Sequence, residues 1–489
     1  LFLSHHLFCM KIQFICIVNL IGVLNQRTLH ILRQSQKKLL CLFILCQQIV
    51  KITHTRSHTF LLLKFYHAAF AASFPFSLAV LSVFIPLYNH LLPGSLLYCN
   101  KLAYSLLISL LVILQGGLFM SETAPICFFL GANSPQGFVS RFDQLDCGDP
   151  QWHTFIIKGG PGCGKSSFMR RIAELFAPHC PSMQLIACSS DPDSLDAVIL
   201  PEWKVSIADG TAPHILEPKQ PALSESLLCF GSFLDPLLLL EHADTIRSIS
   251  QATAKNYAQA TDCLSAAKSF LSDSRQIALS CLQTEKLAAY ARHFSCKHFP
   301  RKSRRGREEV RFLTSINAKG ITSLAATARR LCPDVYFICD REGAASSLFL
   351  SALRSHALEN GHDVISCMCP LAPHSRIDHL LIPDCGLALL TENPFHDFSS
   401  LVPDRRIHSK RFLEVEGMRS FKKRLAFNQK AAAQMIEQAV GSLQDNKLLH
   451  DRLEKIYLSA MDFSMMDVVL EDVAGQIVER RAARESTLL

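Results

Sequence analysis

Gly159-Gly160-Pro161-Gly162-Cys163-Gly164-Lys165-Ser166 meets every fixed position of the P-loop pattern GxxxxGK[ST]. Glycines let a backbone curl without Cβ clashes, so successive N–H groups can turn toward one anion. A lysine at this spacing reaches β- and γ-phosphates, and the following hydroxyl holds Mg²⁺. The expected nucleotide contacts are therefore Gly159, Gly160, Pro161, Gly162, Cys163, Gly164, Lys165, Ser166 and Ser167. The flanks agree with the motif. The apolar run from Thr154 to Ile157 reads as a buried strand, and Phe168 to Phe176 reads as an amphipathic helix. Strand, loop and helix in that order aim a helix N-terminus at phosphate.

Phosphoryl chemistry also needs a carboxylate beside the metal, at the C-terminal end of a neighbouring strand. Val205-Ser206-Ile207-Ala208-Asp209 is a strand-like run that ends in such an acid. Asp209 is the expected partner of Ser166 on Mg²⁺ and, with Lys165, the expected catalytic residue; capping the turn at Gly210-Thr211 is its other use. Asp191, Asp193 and Asp196 follow a second expected strand, Gln184 to Cys188. They could orient water or touch Mg²⁺, or they could cap and form turns. Cys163 reads as a tolerated small residue inside the loop, with oxidation sensitivity as the sharper alternative.

The same landmarks recur further along the chain. Phe129-Leu130, Gly137 and Ser140 match Phe312-Leu313, Gly320 and Ser323 at a shift of 183 residues. Phe155 through Phe168 matches Tyr336 through Phe349 at 181, which sets Gly162 on Gly343 and Ser166 on Ser347. Asp196, Pro201 and His214 match Asp378, Pro383 and His396 at 182. Collinear matches at one period indicate an internal duplication. The second loop reads Asp340-Arg341-Glu342-Gly343-Ala344-Ala345-Ser346-Ser347, with serine at the lysine position and Thr391 opposite Asp209. This copy is expected to bind no triphosphate. His214 persists as His396 in the altered copy, which argues for packing or hydrogen bonding rather than catalysis.

The expected architecture is α/β, a parallel sheet flanked by helices in tandem duplication with helical insertions. The active half spans 120–310 and the degenerate half 311–489. Each half carries helical spacing after its α/β part. Tyr257, Ala260, Leu264, Ala267, Leu271, Ala278 and Cys281 mark the first stripe; Ile436, Ala439, Leu443, Leu453, Ile456, Ala460 and Phe463 mark the second. Such stripes suit either a hairpin packed on its own domain or a coil that meets another subunit or a protein partner. Arg301 to Arg307 reads as an exposed basic linker, or as a surface for an anionic partner.

Residues 1–119 differ from the rest. They contain no Asp or Glu and nine of the fifty Lys and Arg, so the remainder holds forty-one basic against forty-two acidic residues. The net charge of +8 therefore belongs to this segment and gives no reason to expect nucleic-acid binding. Met120 opens ordinary soluble composition just after Gln115-Gly116-Gly117, whose codons can spell a ribosome-binding sequence. The expectation is that 1–119 is upstream sequence read in frame, the alternative being a membrane anchor through Ala68 to Leu87 and Leu102 to Leu118. The fourteen cysteines after Met120 include no CxxC pair and read as reduced, mostly buried thiols.

Four stretches together resemble a group of bacterial P-loop ATPase-like proteins. They are Phe129 to Ser140, the loop from Lys158, Cys188-Ser189-Ser190-Asp191-Pro192-Asp193-Ser194-Leu195-Asp196, and Asp209-Gly210-Thr211-Ala212-Pro213-His214. The resemblance runs from about Phe128 to the C-terminus and implies two P-loop-type halves, ATP binding, ATP hydrolysis and a cytoplasmic location. The altered second loop departs from that group, whose members often keep GKS there. No Asn/Thr-Lys-x-Asp guanine motif occurs, which favours ATP over GTP. A nucleotide or small-molecule kinase and a non-enzymatic nucleotide-gated switch are the rival readings.

Overall fold

The computed structural model describes residues 125–487 apart from 147 and 397, so the expectations for 1–119 lie outside the described residues. The first sheet is built from β1 (Ile126–Phe128), β4 (His153–Lys158), β5 (Gln184–Ala187), β6 (Leu195–Leu200), β7 (Val205–Asp209) and β8 (Glu225–Cys229), after a separate hairpin of β2 (Gly131–Ser134) and β3 (Gly137–Ser140). Its order is β1-β5-β6-β7-β4-β8. The second sheet takes β9 (Glu308–Arg311), β12 (Asp334–Cys339), β13 (Val364–Cys369), β14 (Ala372–Ile382), β15 (Leu387–Glu392) and β16 (Arg405–His408), beside a hairpin of β10 (Thr314–Asn317) and β11 (Gly320–Ser323). Its order, β16-β12-β15-β14-β13-β9, is the first order read from the other end. The chain is thus an α/β protein of two similarly built units.

The sheets are mixed rather than parallel. β6 runs antiparallel to both β5 and β7, and β14 runs antiparallel to both β13 and β15. The connections explain the difference. Only a short turn links β5 to β6, and antiparallel neighbours accept such a link whereas parallel neighbours need a long crossover. The pairs that adjoin the glycine loops, β4 with β7 and β12 with β15, are parallel as expected.

Helix α1 (Lys165–Phe176) buries Phe168, Met169, Ile172, Ala173 and Phe176, the three- and four-residue spacing of one face. Pro178, two residues past its end, cannot continue the hydrogen-bond ladder. Next come α2 (Pro236–Glu241), the long α3 (Ala243–Ser280) and α4 (Thr284–His298). The second unit adds α5 (Ala325–Leu331), α6 (Ala344–Glu359), α7 (Val415–Ser420), α8 (Lys422–Ser459) and α9 (Met466–Thr487). Helices α3 and α8 each have 38 residues and lie against one another. Ala260, Leu264 and Ala267 meet Ala432, Ile436, Ala439 and Leu443 in one apolar seam. The two stripes read from the sequence are therefore partners of each other.

Their continuations cross over. Leu287, Ala291 and Phe294 of α4 pack on Phe349, Leu350 and Leu353 of α6, in the second unit. Met466, Leu470, Val473 and Ile477 of α9 pack on Phe168, Met169 and Ile172 of α1, in the first. Reciprocal backbone bonds fasten the exchange. Asp235 N donates to Ala460 O at 2.8 Å, and Glu414 N donates to Cys281 O at 2.9 Å. Each unit thus lends the helix that seals the other's core, in place of a hairpin that closes on its own domain. The basic run at 301–307 is tied down at Arg304, which pairs with Asp363 at 2.6 Å, and at Lys302, which pairs with Asp384 at 2.7 Å.

Two predictions follow from this packing. Both tryptophans, Trp152 and Trp203, lie in the first unit, and Arg481 of α9 sits 4.5 Å over the Trp203 ring. Ile477→Ala should cost about 2–5 kcal/mol and red-shift tryptophan emission at lower denaturant. Unchanged emission and midpoint would contradict the exchange. His153 is buried, with ring nitrogens 3.3 Å from Leu223 O and 3.0 Å from Ser226 Oγ. Burial, and then Arg480 of α9, push its pKa down to about 4. Its folded pKa lies below the unfolded value near 6.5, so its contribution is full above about pH 6.5. It drains as pH falls toward 4, by up to about 1.4 kcal/mol per unit. Urea titrations at pH 7 and pH 5 should show a smaller loss in His153→Gln than in the unaltered protein.

Candidate functional site

Strand β4 ends at Lys158, and the chain passes through Gly159–Gly164 straight into α1. Gly162 and Gly164 both hold φ +75°, the left-handed region that a side chain disfavours. Gly164 N-caps α1 without a side chain, so the helix N-terminus opens onto the loop. Lys165 is the first residue of α1. Its Nζ donates to Gly159 O at 2.8 Å and Gly160 O at 2.9 Å, folding the ammonium back over the loop.

The parallel register sets Ile157 of β4 against Asp209 of β7, so the acid emerges at the end of the sheet where the loop begins. Asp209 Oδ2 lies 3.4 Å from Lys165 Nζ, with both side chains largely buried. Asp209 Oδ1 accepts the Thr211 amide at 2.9 Å. The acid therefore caps its turn with one oxygen, the second of the uses open to it from sequence, and faces the lysine with the other. Ser166 Oγ accepts the Leu195 amide at 2.9 Å and keeps a second lone pair. Cys163 is buried in the core below the loop, and burial raises its thiol pKa above the ordinary value. Ser167 is exposed on the first turn of α1, beside the loop rather than in it.

Sequence reasoning missed what covers the loop. A Cβ on Gly160 would come within 2.6 Å of the Tyr457 ring, and one on Gly162 within 2.7 Å of Glu454 O. A Cβ on Gly164 would sit 3.2 Å from Phe463. The end of α8 and the turn into α9, both from the second unit, thus rest on three of the loop glycines.

The second loop has the same backbone and different contents. Gly343 holds φ +69° and N-caps α6. Asp340 Oδ2 accepts the Ser346 amide at 2.7 Å, so the loop's own carboxylate fills the helix N-terminus. Arg275 of α3 donates to Ser347 Oγ at 2.7 Å and Gly343 O at 3.3 Å. Arg275 is the counterpart of Glu454, since α3 and α8 correspond at a shift of 179 residues. The register sets Ile338 against Thr391, the place of Asp209 in the first sheet. A cavity of about 750 Å³ adjoins this loop, lined by Asp340, Arg341, Glu342, Glu392, His408 and Lys410 among others. Burial, and then Asp340, raise the Glu342 pKa above its ordinary value.

The three acids after β5 separate. Asp191 pairs with Lys447 of α8 at 3.1 Å and accepts the Asp193 amide at 3.3 Å. Asp193 pairs with Lys319 on the surface. Asp196 turns inward, 3.0 Å from His214 Nε2, and Cys188 joins that pair. The retained His214 is therefore buried against an acid, as is His396 against Asp378 at 3.3 Å.

No family model matches the chain, and no curated protein or solved structure matches it. Among the described residues no helix is long and apolar enough to cross a membrane.

The cover over the loop makes a prediction. Tyr457→Ala should speed amide hydrogen exchange across 159–164 while tryptophan emission stays unchanged. Unaltered exchange in that peptide would show that Tyr457 does not protect the loop.

Proposed function

We propose that the first unit binds ATP with Mg²⁺ as a P-loop NTPase and hydrolyses it to ADP and phosphate. The supporting observation is the convergence of Lys165 Nζ and Asp209 Oδ2, 3.4 Å apart, at the end of two adjacent parallel strands and at a helix N-terminus. Lys165 now bonds the Gly159 and Gly160 carbonyls, which serve as surrogate acceptors. On binding it would exchange them for β- and γ-phosphate oxygens, and the loop amides would take up the rest of the negative charge. Ser166 Oγ and Asp209 would hold Mg²⁺, which supplies charge neutralisation at the transferring phosphoryl group. Water attacks the γ-phosphorus, the bond to the bridging oxygen breaks, and ADP leaves; the residues' part is positioning and charge stabilisation. Membership of the bacterial P-loop ATPase-like group belongs to this proposal, as does a cytoplasmic location. All thirteen described cysteines are free thiols, which suits a reducing compartment.

A nucleotide-gated switch is the second reading, and one observation favours it. Tyr457 and Glu454 of α8 lie directly against Gly160 and Gly162, so a change in the loop on nucleotide binding would press on α8. A kinase reading needs an arginine-rich lid over the acceptor, but the 301–307 run is anchored to Asp363 and Asp384 of the second unit.

Calorimetric titration with a non-hydrolysable ATP analogue should give close to one site per chain, because Asp340 and Arg275 fill the second loop. Lys165→Ala removes a charged hydrogen bond worth about 1.5–3 kcal/mol, so affinity should fall by at least about tenfold with tryptophan emission intact. Undiminished ATP turnover in that variant would refute the proposal, and two sites per chain would refute the reading of the second loop.

A further inference from the structure

We infer that Cys188, Asp196 and His214 form a mononuclear site for a zinc-class divalent cation, independent of the proposed nucleotide site. One ligand atom from each residue lies within 4.8 Å of the other two. Thiolate, imidazole and carboxylate are the ligand types of tetrahedral zinc. β5 delivers Cys188 just past its end, β6 carries Asp196, and the turn after β7 brings His214 over both.

Two buried polar atoms here lack hydrogen-bond partners. Asp196 and His214 are 4 % and 6 % exposed. Asp196 Oδ2 accepts no hydrogen bond, although His214 Nε2 is 3.0 Å away, and His214 Nδ1 is also without a partner. Leaving a buried carboxylate oxygen so placed costs stability unless something satisfies it. Two ligands on one tetrahedral zinc stand about 3.3 Å apart, given metal distances near 2.0 Å, which is close to the observed spacing.

The duplicate supplies the independent argument. Cys369, Asp378 and His396 occupy the matching places in the second unit. There Arg376 inserts its guanidinium, with Nε donating to Asp378 Oδ1 at 3.0 Å and Nη2 reaching Cys369 Sγ. A built-in cation thus lies between thiol and carboxylate. Position 376 corresponds to Ser194 in the first unit, by the shift that relates Asp196 to Asp378. Among the described residues, His214 is the only ion-pair partner that Asp196 has. The first unit therefore keeps the ligands without the tethered cation, and a diffusible one fits its place. Cys188 gives its thiol proton to solvent on binding. Water would complete a tetrahedral shell as the fourth ligand.

The test uses the full chain, equilibrium dialysis against Zn²⁺, and Co²⁺ as a spectroscopic probe. One cation per chain is expected, with a cobalt–thiolate charge-transfer band. Cys188→Ser should abolish that band and weaken binding by at least about tenfold, since loss of an outer-shell partner alone costs 10–100-fold. Ser194→Arg installs the second unit's cation and should abolish binding while near-ultraviolet circular dichroism stays intact. Failure of the unaltered protein to take up either metal would overturn the inference. So would undiminished binding by both variants, which would place the metal elsewhere, for example at His450, Asp451 and Glu454 on α8.

Discussion

The apolar stripe of α9 against α1 is the contact on which the rest of the molecule depends. Val473 and Ile477 are fully buried there, against a helix more than 290 residues earlier in the chain. Without it, Phe168, Met169 and Ile172 would face water, and the helix that presents Lys165 would lose one of its two walls. Its counterpart, α4 on α6, does the same for the second sheet. Neither sheet has a complete core of its own, so the units form one cooperative body rather than two beads on a linker. The antiparallel pair of α3 and α8 is the strut that carries each closing helix to its destination.

On this shared scaffold the two units diverge by a few charges. Lys165 becomes Ser346, Gly159 becomes Asp340, Glu454 corresponds to Arg275, and Ser194 corresponds to Arg376. Two of these changes place a charged side chain of the protein's own inside the second unit's loop and acid cluster. Asp340 sits on the helix N-terminus as an anion would, and Arg376 sits between thiol and acid as a cation would. A tethered group is present at effectively saturating concentration, so these two places in the second unit are filled by the chain itself.

The loop, its flanking strand and helix, and the strand that ends at Asp209 were legible because their signals are local. A glycine pattern, an apolar run and a three-to-four-residue stripe need only neighbours in sequence. The duplication was legible because one period relates Gly162 to Gly343 and His214 to His396, and the two sheets follow the same strand order. Three features were not. The antiparallel β6 was hidden because Ala197 to Leu200 is an unbroken apolar run with no alternation to mark it as a separate strand, so the short link from β5 went unread. The exchange of α4 and α9 was hidden because an apolar stripe states that a face is buried, not against what. The convergence of Cys188, Asp196 and His214 was missed because each lies on a different element and the fold alone brings them together. Asp196 and His214 were noticed as repeats, but a repeat does not say that its members touch.

The exchanged topology also orders events in time. A chain emerging from the ribosome presents β4, the glycine loop and α1 roughly 290 residues before α9, which covers them. Domains that fold as they emerge usually finish N-terminal first. Here the first sheet must wait, with Phe168 and Met169 uncovered, while the second is synthesised and α9 arrives. During that interval the apolar face of α1 is exposed to water. A ribosome that stalls after Ser459 releases a polypeptide with every site residue present and no lid for its core.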